Sequence, residues 1–222
     1  MSDTIAAMPN FRDAGGHETS GGGRMRRGFL YRSDQPAGLG ADDLSRLSSL
    51  GLRTVYDLRT AAEVAMEPGL VPSGATRVRL DVLADEQDGA PARIIAMLSN
   101  PPQASRELGD GRAAAMFTRV YRSLVTTPSA IEGYRRFCLG LLDEQGAPAL
   151  VHCTTGKDRT GWACAALQSL AGVPREAVYR DFVAQRIFST SSSMLDATAL
   201  LPILALIFTR KLRPMIIGSD SG

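Results

Sequence analysis

The chain is poor in lysine: of its 25 basic residues only Lys157 and Lys211 are lysines, and the rest are arginine. It has two histidines, His17 and His152, and three cysteines, Cys138, Cys153 and Cys164. With so few soft ligands and no second cysteine pair, a zinc-type site lacks a ligand set, and no metal or other cofactor is expected. The odd cysteine number and its spacings form no disulfide framework, which suits a reducing compartment. Neither sign of charge dominates, since 25 Lys+Arg face 23 Asp+Glu for a formal net +2. Nucleic acid binding takes a concentrated basic face, so no nucleic-acid partner is expected. Any anion the chain binds is bound locally. Long apolar runs are missing as well: the most apolar stretch, residues 197–208, is interrupted by Pro202, and a transmembrane helix needs roughly 20 such residues. It reads as a buried helix. The opening "MSDTIAAMPNFRD" has no basic segment followed by an apolar run, hence no secretory signal. Cytoplasmic residence is expected, export by a route without such a signal being the alternative.

What is present is enough for one sizeable core: 222 residues, 44% of them apolar, read as a single domain, 1–222. "GFLYRS" (residues 28–33), "LRTVYDLR" (52–59) and "TRVRLDV" (76–82) read as strands, and "APALV" (147–151) as a buried parallel strand. Helices are predicted over 41–50, 112–125 and 128–144, the last opened by Thr127 and Pro128. Residues 85–111 are polar and punctuated by Pro and Gly, and the region 85–125 is expected to form a lid or helical insertion. Strands alternating with helices predict an α/β fold, a central mostly parallel sheet flanked by helices.

The stretch "VHCTTGKDRTGWACAAL" (151–167) carries the chemistry. If Val151 ends a strand and a helix begins at Thr160 or Gly161, residues 152–159 form a loop whose N–H groups can converge on an anion. Gly156 permits a positive φ in its bend. Such surroundings, with Arg159 nearby, favour a thiolate and lower a cysteine pKa from about 8.5 toward roughly 3.5–7.5. Cys153 is thus the expected nucleophile, Arg159 the paired donor to two phosphoryl oxygens, and the backbone of Thr154, Thr155 and Gly156 the remainder of the cradle. Thr160 could donate its hydroxyl to the sulfur as it departs. Lys157 has two readings: chance, or a compact ammonium where a planar guanidinium does not fit. A nucleotide-binding P-loop would need glycine where Val151 stands and Ser or Thr in place of Asp158.

"HCTTGKDRTG" resembles the signature of the Cys-x5-Arg protein tyrosine phosphatase superfamily, in particular its bacterial tyrosine/lipid phosphatase branch. "NFRDAGG" (10–16) and the block from Tyr31 to Glu63 are similar to the N-terminal blocks of that branch, so the likeness covers most of residues 9–186. The resemblance implies hydrolysis of phosphate monoesters through a cysteinyl-phosphate, releasing inorganic phosphate. Phosphotyrosine protein is the first substrate class and phosphoinositide the second, with Lys157 as an extra cation for a charged headgroup. Family members usually continue with a further helical segment where this chain ends in "RPMIIGSDSG", so a shortened C-terminus is expected. Arsenate reductases and sulfur transferases also place a cysteine at an anion loop, but with other spacings or further redox cysteines. A phospho-binding module without catalysis is the non-enzymatic alternative.

The proton for the leaving group has several candidate sources: Asp158 inside the loop, cast as the acid in the family, then Asp81, Asp85 or Asp88 on the segment that follows the strand, and otherwise water or an unnamed group. Asp158 beside a bound dianion must point away or hold a proton. His152 is expected to brace the loop, and Asp57 and Arg59 to end a strand at the same sheet edge as Cys153, where ligands bind in open α/β sheets. Arg59 is expected to pair with Glu63 as a buttress. Asn10, Arg12, Asp13, Gly15 and Gly16 read as a turn network, and Cys138 and Cys164 as small buried apolar residues.

Overall fold

The computed structural model of the chain describes residues 5–86, 122–143, 146–184 and 217–218. Five strands form the main sheet: β1 (Arg12–Asp13), β3 (Leu30–Ser33), β4 (Thr54–Asp57), β5 (Thr76–Arg79) and β6 (Ala149–His152). Their spatial order is β1-β3-β6-β4-β5, parallel throughout except for β1, which runs antiparallel to β3. A separate two-residue pairing joins β2 (Arg24–Met25) to β7 (Ile217–Gly218). The helices are α1 (Ala41–Ser49), α2 (Ala61–Met66), α3 (Pro128–Gly140), α4 (Asp158–Leu170) and α5 (Arg175–Val183). The predicted α/β architecture, a mostly parallel sheet flanked by helices, is what the chain adopts. Among the described residues no helix is long and apolar enough to cross a membrane.

Strand periodicity explains the two cores. Along β6, Ala149 and Val151 join one cluster with Tyr134, Phe137, Leu141 and Leu167, while Leu150 joins the other with Leu47, Leu52 and Val55. Alternate side chains point to opposite faces, so β6 is buried on both and reads as a continuous apolar run. Helix α4 lies on the first face with Gly161, Ala163, Cys164, Ala165 and Ala166 all buried, small residues that let it approach the sheet closely. Cys138 and Cys164 are buried as expected, and burial pushes their thiols up to about 12 and about 11.

Several boundaries moved for identifiable reasons. Helix α4 starts at Asp158, one half-turn before the predicted Thr160 or Gly161, because the Gly161 N–H already bonds to the Lys157 carbonyl at 2.6 Å. The strand predicted over 147–151 runs instead from Ala149 to His152. Helix α3 stops at Gly140, short of residue 144, because the next amides tighten onto carbonyls three residues back, Leu142 N–H to Leu139 O at 3.0 Å and Asp143 N–H to Gly140 O at 3.4 Å. Helices α2 and α5 went unforeseen. The apolar stretch 197–208 and residues 87–121 of the expected lid lie outside the described residues. The ends of that lid segment are tied down: Ser123 donates to Glu86, and Asp85 accepts the Ser129 N–H at 2.6 Å where α3 begins.

Phe137 is fully buried and meets Tyr56 edge-on, with ring centroids 5.1 Å apart. Phe137→Ala is expected to destabilise the fold by about 3–5 kcal/mol in urea denaturation; a loss under about 1 kcal/mol would show that this face is not the principal core.

Candidate active site

Three parallel strands end at one level. In register, His152 of β6 stands beside Ser33 of β3 and Asp57 of β4, so the residues that follow each of them share one edge of the sheet. That edge holds Cys153, 1% exposed, and the loop leading into α4.

The loop is held from outside by its carbonyls. Thr154 O accepts the Gln35 N–H at 3.1 Å, Thr155 O accepts Asn10 Nδ2 at 2.9 Å, and Gly156 O accepts Arg32 Nη2 at 3.1 Å. A trans peptide is planar with its N–H opposed to its C=O. Each outward carbonyl therefore turns the next amide, that of Thr155, Gly156 or Lys157, to the inner side. Gly156 has φ +67°, and a Cβ there would strike the Ser33 carbonyl and the Asp34 nitrogen, so only glycine fits.

Arg159 lies in the first turn of α4 and is fixed end-on by Glu63: Nη1 donates to Oε2 at 2.7 Å and Nη2 to Oε1 at 2.6 Å. Nη1 also reaches the Leu58 carbonyl at 3.3 Å. Burial works against the Arg159 charge, but the facing Cys153 and Glu63 outweigh it and hold the guanidinium above its usual value. Glu63 is opposed by burial too; Arg159, the Thr154 hydroxyl at 2.5 Å and the Thr60 N–H prevail and hold it down at about 2. The expected Arg59–Glu63 pair is thus not formed. Arg59 instead clasps Asp57, with Nε to Oδ1 at 2.8 Å and Nη2 to Oδ2 at 2.7 Å, both side chains fully buried. Glu63 is the functional residue that sequence reasoning misassigned. Thr60 and Glu63 form a capping box, so the Thr-x-x-Glu spacing was the signal that a helix starts here.

His152 is buried, with Nδ1 3.2 Å from the Cys153 carbonyl and Nε2 3.8 Å from Asp57 Oδ2. Burial lowers its pKa to about 4, against the pull of Asp57, so it stands neutral at pH 7. Thr160 Oγ1 is buried and has no hydrogen-bond partner among the described residues, the Cys153 sulfur included. Lys157 is the N-cap residue of α4 and Asp158 its first residue. Asp81 accepts the Leu83 N–H at 3.1 Å, and Asp85 is drawn to Ser129, whose hydrogen bonds lower its pKa. Asn10 belongs to the loop's support, beyond the turn role expected of it; Asp13 does make the turn, accepting the N–H groups of Gly15 and Gly28 at 2.7 Å each. Asp34, unforeseen, accepts the Asn10 N–H at 3.3 Å, and burial pushes its carboxyl up to about 6. Arg32 and Arg12 converge on Asp181 of α5, at 3.1 and 3.3 Å.

A buried cysteine, a loop whose outward carbonyls turn its amides to one side and a fixed arginine thus stand together at the C-terminal edge of the parallel sheet. Residues 4–203 match the model of the tyrosine phosphatase family, and the chain belongs to that family. It is 34% identical over 186 residues to a Cupriavidus necator protein that carries a provisional tyrosine-protein phosphatase name, covering 82% of this chain and 60% of that one. It is 31% identical over 187 residues to the triple specificity protein phosphatase PtpB of Mycobacterium tuberculosis, covering 78% and 65%. A tyrosine-protein phosphatase of Nostoc commune is 28% identical over 148 residues. The chain thus spans under two thirds of the length of these relatives.

Between pH 6.5 and 4 an unfolded chain protonates the His152 imidazole and the folded one does not, so acidification through that window costs stability. Asp34, with its raised pKa, acts in the opposite sense below pH 6. Comparison of His152→Asn with the parent isolates the first effect: the variant's stability should fall less steeply, by up to about 1.4 kcal/mol per pH unit, in urea titrations across this range. Parallel profiles would show that His152 is charged in the fold.

Proposed function

We propose that the chain hydrolyses phosphate monoesters, phosphotyrosine in proteins above all, with Cys153 as nucleophile and Arg159 and the loop amides as oxyanion holders. The observation that carries this reading is the end-on clamp of Glu63 on Arg159, which leaves Nε–H and the second Nη2–H as the side-on edge of the guanidinium. Two equatorial phosphoryl oxygens match that edge, and the amides of Thr155, Gly156 and Lys157 face the same anion. The Cys153 sulfur attacks phosphorus and the ester P–O bond breaks; the departing oxygen takes a proton from an acid. Water then attacks the cysteinyl-phosphate, the S–P bond breaks, and inorganic phosphate leaves. The unpartnered Thr160 hydroxyl suits donation to the sulfur in this second step.

Asp158 is the proposed acid, with Asp81 and then Asp85 behind it. The hydrogen bonds from Ser129 favour ionised Asp85, which is the wrong state for a donor. The depth of Cys153 favours an ester whose phosphate stands on a long rigid arm, as in phosphotyrosine. Phosphoinositide is the second reading, favoured by the ammonium of Lys157 at the start of α4.

Hydrolysis of p-nitrophenyl phosphate in EDTA should persist in the parent and be abolished in Cys153→Ser. Asp158→Asn should lower kcat by about 10²-fold or more on phosphotyrosine peptide, and less on nitrophenyl ester, whose leaving group needs little protonation. Ranking of phosphotyrosine peptide against phosphatidylinositol phosphates decides the substrate class. No turnover from folded parent that still binds phosphate analogues would favour a phospho-binding module. Glu63→Gln keeps the clamp's shape and removes its charge; kcat/KM should drop by about tenfold or more. An unchanged value would mean that Arg159 needs no clamp.

A further inference from the structure

The three donors that hold the loop carbonyls come from distant parts of the chain, and each is itself held by a charged side chain. Arg32, fully buried, spans from Gly156 O at 3.1 Å to Asp181 Oδ2 at 3.1 Å. Asn10, 3% exposed, reaches Thr155 O while its own N–H is taken by Asp34. Gln35 gives its N–H to Thr154 O, and its side-chain carbonyl accepts Arg59 Nη1 at 3.0 Å. None of the three donors lies in the loop between Cys153 and Arg159. Without them, a five-residue turn has no reason to keep three successive carbonyls on one side.

We propose that Asn10 and Arg32, with the backbone of Gln35, are positioning residues for the oxyanion: they set anion affinity by fixing the peptide planes of the loop, without touching substrate. The proposal rests on the anion-loop reading above. Asn10→Leu keeps the side chain's size and deletes its donor; Arg32→Lys keeps a buried cation for Asp181 and gives up the planar fork that also reaches Gly156. In both variants the planes of the loop are released to rotate, and amides no longer converge.

The test is calorimetric titration with tungstate, a non-reacting phosphate analogue, alongside steady-state kinetics and thermal melting. Each variant should bind tungstate about tenfold more weakly, the equivalent of one hydrogen bond lost from the cradle, and kcat/KM should fall with it. Leu141→Ala, which opens a cavity in the core away from the loop, is the control for stability alone. It should melt earlier yet keep tungstate affinity within about twofold. Folded Asn10→Leu with parental affinity would overturn the proposal, as would equal loss of affinity in Leu141→Ala. Failure of the parent to bind tungstate would overturn the anion-loop reading itself, an outcome distinct from either.

Discussion

Arg159 is clamped by the Glu63 carboxylate and feels the Cys153 sulfur, and the arrangement of the loop depends on that guanidinium staying in place. A buried cation without a partner is too costly to keep, so Glu63 must be delivered to it with little freedom. Glu63 sits on a six-residue helix, far below the length at which a helix is stable by itself. The helix is held instead at both ends. Thr60 and Glu63 cap its start reciprocally, and Arg59 takes the Glu67 carbonyl at 2.7 Å just past its end. Arg59 is in turn clamped by Asp57 at the end of β4. A line of buried contacts thus runs from the strand through Asp57, Arg59, α2 and Glu63 to Arg159.

The same edge of the sheet collects the other buried charges, Arg32 with Asp181 and Arg59 with Asp57. Each pair has lost its hydration, and apolar residues of the same size would serve stability as well or better. What they supply is direction. Arg59 serves Asp57, Gln35, Glu67 and Pro68 together, and Arg32 serves Asp181 and Gly156. Only a planar group with five donors can do this; an ammonium is a point charge. That is a physical reason for arginine at these buried positions, while Lys157 occupies the N-cap at the loop's outer end.

Four strands and several helices were legible because they are written in local patterns, β-rich runs, Gly51 with φ +60° past α1 and Thr127 capping α3, whereas the spatial order of the strands rests on long-range pairing. That Cys153, Gly156 and Arg159 belong to one loop was legible because they share one short stretch. The misassigned partner has a local cause. Arg59 and Glu63 are four apart, the spacing of a helical ion pair, but Thr60 is the N-cap, so Arg59 precedes the helix in an extended segment and turns toward Asp57 instead. The support of the loop carried no such pattern. Asn10 and Thr155 are 145 residues apart, Arg32 and Asp181 149 apart, and nothing short of the fold brings them together.

Those long separations also tie the proposed chemistry to the fold's completeness. A loop that kept its shape by internal bonds alone could form early and work in a half-built protein. Here the peptide planes that would meet the anion are set by the segment at Asn10, by β3 through Arg32, and by α5 through Asp181, so the anion site is assembled only when the last described helix has packed. The same dependence bears on the acid. Asp85 is tied across 44 residues to Ser129, whose hydrogen bonds favour its ionised form, and a carboxylate held in that form has no proton to give a leaving group.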